Sequence, residues 1–322
     1  MKRALIAAVF SLLLGTTARG QTVRPESIPQ RFTTSETPEL IALTNLGANP
    51  GIGAASFTID QPNGQPSLRL GGLGLRGGLD VGPRDQIYRL YVGGAVGRLT
   101  LTDAFTGALD SGESVRLETK KQLTTGGLLV GVDYSPAKVV HIRPELGVGL
   151  SRLTSDTSFP DGGDPSMFIG VRDARLLRWD VWATTIAPAI DLLVDVPFDH
   201  HRFEAELTWA HGFHRSFSES AKELHFSGYT NTLYGRTQFT SPTPVSIYEI
   251  PIDWDVQFQV THFLTGETDP LGFSTVMVAS AGLDLRLERK LWIFPLRSAG
   301  PKVGFIFGPN IHGFSLGLSV RG

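Results

Sequence analysis

Two glycine-punctuated motifs in this chain have spacings known from catalysis and from nucleotide binding. Residues 313–317 read Gly-Phe-Ser-Leu-Gly and match the G-x-S-x-G pattern of a serine nucleophile. That chemistry needs a sharp strand-to-helix turn, whereas Ser315 lies in an alternating segment without a helical pattern after it. Residues 72–77 match G-x-G-x-x-G, but a pyrophosphate site requires that this motif open a helix. We therefore expect Ser315 to be structural and the glycines to relieve crowding between strands.

The histidines and acidic residues do not form a recognisable metal motif. His200 and His201 fall in a predicted turn, and His211 and His214 lie one segment further on. A zinc site needs ligands in a fixed tetrahedral arrangement, which this spacing does not supply. The sequence contains no cysteine, so thiol catalysis, cysteine-based metal sites and disulfides are excluded. We predict neither a metal nor a cofactor.

One histidine occupies a position that leaves an enzymatic alternative open. His262 falls on the apolar side of its segment, with Thr261 and Thr265 nearby. One alternative is a lipid-modifying hydrolase of the outer membrane. Such an enzyme would need a histidine hydrogen-bonded to a serine on the surface that faces lipid. No serine motif accompanies His262, so we expect that the protein is not an enzyme and keep the hydrolase as the alternative.

Most ionisable residues alternate with apolar ones, and residues 250–261 show this most clearly. The even-numbered residues from Ile250 to Val260 are apolar, and the odd-numbered ones, Pro251 apart, are polar. Because successive strand side chains point to opposite faces, this segment is predicted to be a strand with one apolar and one polar face. Residues 140–151, 203–209 and 283–288 show the same division.

Segments of this kind recur through the chain at lengths that span a bilayer. They predict an all-β fold, an antiparallel transmembrane β-barrel of about 12 strands with lipid outside and water inside. The predicted strands are 52–60, 67–80, 86–103, 114–133, 139–153, 176–194, 201–216, 223–240, 245–264, 272–288, 302–308 and 311–321. A soluble periplasmic β-sandwich that binds a ligand remains the structural alternative.

The residues before the first strand divide into two parts. Residues 1–20 have a basic start, an apolar run and small residues before the expected cleavage point, as in a secretory signal peptide. Residues 21–50 form a lead with a short helix, 38–46, which begins with Pro38 after Thr37 as its N-cap. We assign residues 51–322 to the barrel and predict export to the bacterial outer membrane.

The connections between predicted strands are of two kinds. Four are short and marked by proline, at residues 82–85, 135–138, 197–200 and 241–244. Residues 104–113 and 154–175 form longer connections. Outer-membrane barrels have short periplasmic turns and longer external loops. If the first strand runs outward, all four proline-marked turns lie on the periplasmic side.

The polar faces carry charges of both signs, which would each cost several kcal/mol against lipid near the midplane. We therefore predict that these side chains face the lumen, where a mixed-sign set can line a channel or hold a plug. The predicted luminal residues are Arg143, Glu145, Arg178, Asp180, Arg202, Glu204, Glu206, Asp253, Asp255, Asp284 and Arg286.

The C-terminal stretch, residues 304–320, is a tight hairpin of two alternating segments. Together with the signal peptide and the single preceding helix, it resembles the solitary outer-membrane autotransporter-like β-barrel family. The resemblance implies a twelve-stranded barrel with a helix in its pore, for which helix 38–46 is the candidate. Glu39, Thr44 and Asn45 would then face luminal groups.

These observations predict a narrow or plugged, porin-like barrel with external loops for surface interactions. The expected partners are outer-membrane lipids, lipopolysaccharide and the barrel-assembly machinery. The formal net charge of −2 gives no reason to expect a nucleic acid.

Overall fold

The computed structural model describes residues 54–60, 67–83, 86–108, 114–158, 178–220, 224–264, 273–291 and 294–321. Within these ranges the chain forms strands joined by turns and loops. The strands are β1 (Ala54–Ile59), β2 (Leu68–Val81), β3 (Tyr88–Ala108), β4 (Ser114–Ala137), β5 (Val140–Ser158), β6 (Arg178–Phe198), β7 (His201–Glu219), β8 (Ser227–Ile247), β9 (Ile250–Phe263), β10 (Thr275–Leu291), β11 (Phe294–Gly308) and β12 (Ile311–Arg321). No helix in the described ranges has the length and apolarity to cross a membrane.

The strands close into a single ring. Each pairs antiparallel with its neighbours in sequence, and β1 pairs with β12 from Ala54↔Leu316 to Ile59↔Ile311. Closure leaves no unpaired sheet edge in the ring. The predicted twelve-stranded barrel is therefore confirmed, and the β-sandwich alternative is wrong. The predicted signal peptide and helix 38–46 lie outside the described residues.

The largest differences from the predicted strands occur at the start of β11 and at the end of β8. β11 begins at Phe294 rather than at residue 302. β8 continues to Ile247, through the position where a proline-marked turn was predicted. A register shift between Pro242 and Ser246 accommodates the prolines, since an irregularity in the ladder tolerates a missing N–H donor. The turn instead lies at Tyr248 and Glu249, whose φ angles of 48° and 66° are those of a tight hairpin.

The two ends of the barrel carry different connections. At one end, here the turn end, β4–β5, β6–β7 and β8–β9 are joined by residues 138–139, 199–200 and 248–249. At the other, the loop end, the connections include residues 159–177 and 264–274. The predicted proline-marked segments all lie toward the turn end, as expected for the periplasmic side of an outer-membrane barrel, although residues 241–244 fall within β8.

The wall of the barrel is not equally tall all round. β3 to β8 have 19 to 24 residues, whereas β1, β9 and β12 have 6, 14 and 11. Leu70 near the start of β2 pairs with Leu101, and β3 continues from there to Ala108. The tall side therefore extends beyond the short side at the loop end.

An apolar belt surrounds the middle of the barrel. On β5, Leu146, Val148 and Leu150 are 44–54% exposed, while Glu145 and Ser151 on either side of them are buried. The same arrangement recurs around the ring at Leu73, Leu75, Val96, Leu128, Val130, Ile186, Ile190, Leu207, Val256, Phe258, Leu283, Val303, Phe305, Leu316 and Leu318. Apolar side chains outside and polar ones inside are the distribution expected of a barrel surrounded by lipid.

The depth of the belt can be tested with two arginine substitutions on the same face of β5. Val148→Arg places a charge within the belt and should destabilise the inserted barrel by about 2–4 kcal/mol. Thr154→Arg lies toward the loop end, opposite Asp180 in the strand register, and should be tolerated. Heat-modifiable mobility and urea unfolding in lipid vesicles measure both effects. Equal losses in the two variants would contradict the assigned depth.

Candidate functional site in the barrel lumen

The inner face of β2 to β5 carries a cluster of ion pairs toward the turn end. Arg89 forms ion pairs with Asp133 and, at 3.2 Å, with Asp80. Arg143 lies 3.4 Å from Asp80 and 3.6 Å from Asp133. His141 Nδ1 is 3.1 Å from Asp133, whose side chain is fully buried. Side chains from β3 and β5 thus converge on the Asp133 carboxylate of β4.

Inward-facing glycines give this cluster its space. Tyr91 lies across the backbone at Gly78, where an added Cβ would stand 2.2 Å from the Tyr91 hydroxyl. The Arg143 guanidinium in turn stacks 3.9 Å above the centre of the Tyr91 ring. A side chain at Gly78 would displace this aromatic platform and the arginine that it carries.

Two further ion pairs reach over intervening strands, as the pair of Arg143 on β5 with Asp80 on β2 does. Arg76 on β2 contacts Glu145 on β5 at 2.7 Å, and the Glu145 side chain is only 3% exposed. Lys302 on β11 contacts Asp255 on β9 at 2.7 Å, above Gly282 of β10. These pairs draw non-adjacent strands together across the inner wall, so they narrow the lumen as well as neutralise charge.

The remaining pairs extend the network around the other half of the barrel. They are Arg202 with Asp195 at 2.6 Å and Glu204 at 3.2 Å, Arg236 with Glu206 at 2.9 Å, and Arg286 with Asp253 at 2.7 Å. We call the ion pairs of Asp80, Arg76, Arg89, Asp133, Arg143, Glu145, Asp195, Arg202, Glu204, Glu206, Arg236, Asp253, Asp255, Arg286 and Lys302 the luminal charge network.

All but two of the predicted luminal residues lie on the inner face. Asp284 is among them, fully buried, and accepts hydrogen bonds from Ser298 and Ser319 at 3.4 and 3.3 Å. The others are Arg143, Glu145, Arg202, Glu204, Glu206, Asp253, Asp255 and Arg286.

The exceptions, Arg178 and Asp180, lie on the outer face. Their neighbours Trp179 and Val181 are the buried, inward residues of β6. Asp180 accepts hydrogen bonds from Arg152 on the outer wall. Both residues lie beyond the apolar belt. An outward charge at that height does not contact hydrocarbon, so facing outward carries no lipid penalty.

Several members of the network were not predicted, and around some of them glycine interrupts the alternation. Arg76 follows the outward Leu73 and Leu75 but lies in a glycine-rich stretch. Asp133 lies on the inner face of β4, whereas Val130 and Val132 of the same strand lie on the outer face. The unpredicted members are Arg76, Asp80, Arg89, Asp133, Asp195, Arg236 and Lys302. If the alternation of faces is followed along each strand from the exposed apolar residues, these side chains are assigned to the lumen.

Toward the loop end the inner face changes from charged to apolar. Buried side chains from nearly all strands and from the β7–β8 connection form one contiguous cluster, the luminal core. Its members are Ala55, Phe57, Ile59, Leu68, Leu70, Leu99, Leu101, Leu123, Leu153, Trp179, Val181, Ala183, Leu224, Phe226, Phe263, Phe273, Val276, Ile306 and Ile311. The glycine-rich motif serves this packing, since an added Cβ at Gly72 would lie 2.6 Å from the Leu99 side chain.

Two serine–histidine–carboxylate groups occur among the described residues, but neither has the geometry of a catalytic relay. His141 Nδ1 lies 2.8 Å from Ser135 Oγ and 3.1 Å from Asp133. His225 Nδ1 likewise faces both Ser216 Oγ and Glu219. A relay needs the serine on one ring nitrogen and the carboxylate on the other. Here both partners share a single nitrogen, so the serine is not activated in this arrangement.

The positions considered for hydrolysis or metal binding have other contacts. His262 Nδ1 lies 2.9 Å from Thr275 Oγ1 on the outer wall, where the hydrolase alternative would require a serine. Ser315 faces inward in β12, beside Gly304. His201 contacts Ser241 at 3.0 Å. Within the described ranges, no group of three or more histidine, aspartate or glutamate side chains is placed to hold a metal ion.

Comparison with known proteins finds similar folds among solved structures. The translocator domain of the autotransporter NalP from Neisseria meningitidis matches at 15% identity, over 88% of this chain and 94% of that one, with a TM-score of 0.49. The β-domain of the Bordetella autotransporter BrkA matches at 15% identity, over 82% and 96%, with a TM-score of 0.45. The transport unit of the autotransporter AIDA-I from Escherichia coli matches at 10% identity, over 94% and 100%, with a TM-score of 0.47.

The predicted closed antiparallel barrel of twelve strands is confirmed by the strand pairing of the structure itself. No protein-family model and no curated protein matches the sequence.

The bridge between Arg76 and Glu145 provides a stability test of the charge network. Arg76→Met leaves the Glu145 carboxylate buried without its partner and should cost about 3–5 kcal/mol. Arg76→Met/Glu145→Met removes both charges and should recover most of that loss. Urea unfolding of the folded barrel, followed by tryptophan fluorescence, measures each variant. A double variant as unstable as Arg76→Met would show that the pair is not coupled.

Proposed function

We propose that this protein is a barrel of the bacterial outer membrane whose lumen is closed at rest and whose loop end faces the exterior. The single observation that carries this proposal is the combination of an apolar belt outside with an apolar core inside. The belt suits a lipid environment, and the luminal core denies water a continuous polar path. The external loops would then serve surface interactions.

The membrane location is supported by features that are independent of each other. The belt is formed by every second residue of long antiparallel strands, as in barrels exposed to lipid. The longest connections, residues 159–177 and 264–274, are both at the loop end, and most of the short ones are at the turn end, which matches external and periplasmic sides. The apolar run predicted at residues 1–20 as a signal peptide agrees with export.

The closed state is supported by the burial of the luminal core. Ile59, Leu70, Leu101 and Leu153 lie on the inner face and are at most 2% exposed. A hydrophobic constriction blocks ions because it loses its water, even where it is wider than a bare ion. Conduction through this barrel would therefore require rearrangement of the luminal core, whereas the charge network alone would stay hydrated.

Planar-bilayer recordings of the full-length protein test this function. We expect no stable conductance steps from the wild type. Leu70→Asn/Leu101→Asn hydrates a pair of facing core positions and should produce measurable steps. Thr125→Asn, an inward position between the core and the charge network, is the matched control and should remain silent. Stable, ohmic channels in the wild type would contradict the closed state.

A deletion separates the two possible means of closure. If helix 38–46 plugs the lumen, removal of residues 21–46 should raise the conductance of a barrel that still assembles. If the luminal core suffices, the deletion variant should be as silent as the full chain, and only the asparagine pair should open it. Cell fractionation and heat-modifiable mobility establish assembly in every variant.

A further inference from the structure

The tall side of the wall carries a set of outward-facing cations above the apolar belt. Arg69, Arg98 and Lys120 each follow or precede a buried inward neighbour and are themselves exposed. The whole set consists of Arg69, Arg98, Arg116, Lys120, Arg152, Arg178 and Arg215, and we call it the basic face. It covers β2 to β7 only.

The strand register places these cations in two rows. Arg98 on β3 and Arg152 on β5 both pair with Thr124 on β4, which gives the lower row. Lys120, four residues nearer the loop end of β4, pairs with Thr102 and Asp156, and these pair with Arg69 and Arg178. At about 3.3 Å per residue the rows lie on the order of 13 Å apart along the strand. The rows thus form a patch, not a single contact point.

The basic face keeps most of its charge available. Arg152 is engaged by Asp180, and Arg98 donates a hydrogen bond to Gln122 at 2.7 Å. No ion pair between two described residues involves Arg69, Lys120 or Arg178. Outward acidic residues are present at Glu118, Asp156 and Asp180, but cations outnumber them on this side of the described wall. The patch is therefore suited to an anionic ligand.

The patch has a definite place relative to the belt. Leu73 pairs with Arg98, and Leu150 precedes Arg152 by one outward position, so the lower row begins where the exposed apolar side chains end. On the short side, the described outward residues at the loop end include Thr58, His262, Thr275 and His312 and no arginine or lysine. The ligand should therefore have an acyl part beside the belt and an anionic part above it, on one side of the barrel.

We infer that the basic face binds the phosphorylated headgroup of lipopolysaccharide in the outer leaflet. This inference rests on the proposed function, because the loop end must face the exterior. Arginine forms paired hydrogen bonds with phosphate, and clusters of several cations at a membrane surface recognise phosphorylated lipid headgroups. All seven cations of the basic face lie toward the loop end, which under the proposed function contacts the outer leaflet, so its lipid is favoured over phospholipid of the inner one.

Binding of purified deep-rough lipopolysaccharide to the full-length protein in detergent tests the assignment. Arg98→Gln/Lys120→Gln/Arg178→Gln should weaken binding at least tenfold, and high salt should weaken binding to the wild type. Lys138→Gln, in the turn at the opposite end, is the control and should leave binding unchanged. Heat-modifiable mobility shows that each variant is folded, and Arg98→Gln alone serves if the triple variant does not fold.

Two comparisons identify the ligand. Lipopolysaccharide with its phosphates removed should bind at least tenfold more weakly than the intact form, and equal binding would overturn the inference. Phosphatidylglycerol or cardiolipin that binds as tightly, with the same loss in the triple variant, would overturn the assignment to lipopolysaccharide. Failure of the proposed function is distinguished by cell fractionation. The wild type would then be absent from outer-membrane fractions, whatever lipid it binds in detergent.

Discussion

Closure of the ring by β1 and β12 is the constraint on which the rest of the structure depends. Once Ala54 to Ile59 pair with Leu316 to Ile311, all twelve strands belong to one closed wall. Every side chain in a regular part of that wall then points either outward or into the lumen. The apolar belt, the luminal charge network, the luminal core and the basic face are the consequences of that division at different heights.

The lumen is filled in two different ways along its axis. Toward the turn end, long charged side chains cross over inward glycines, as Arg143 does above Tyr91 and Gly78. A buried ion pair gains little unless both partners are well bonded, so these contacts favour one arrangement more than they add stability. Toward the loop end, apolar side chains such as Leu70 and Leu101 pack together and gain from exclusion of water. The boundary between these zones separates a charged section of the lumen from an apolar one.

Much of this architecture could be predicted from the alternation of apolar and polar residues, because lipid penalises a misplaced charge strongly. The prediction failed where that penalty is absent. Arg178 and Asp180 lie beyond the belt, and the lipid argument assigned them to the wrong face. Trp179, between these two residues, is a buried member of the luminal core. In β8 the prolines predicted a turn, but a register shift in the pairing of β8 with β9 accommodates them. Tyr248 and Glu249 form the turn instead. Pairing between non-adjacent strands, such as Arg76 with Glu145, depends on curvature that no local pattern contains.

The shortness of β1 has a consequence for the order in which the wall can form. Its six residues pair with a strand from the far end of the chain, while the other strands pair with sequence neighbours. Contacts between distant segments carry the largest loop-closure cost and tend to form late, whereas hairpins form early. The seam is also tight, since an added Cβ at Gly313 would lie 2.3 Å from the Ser56 carbonyl oxygen. A curved, open sheet should therefore precede the closed barrel during biogenesis, and the pairing of β1 with β12 should be the last to form.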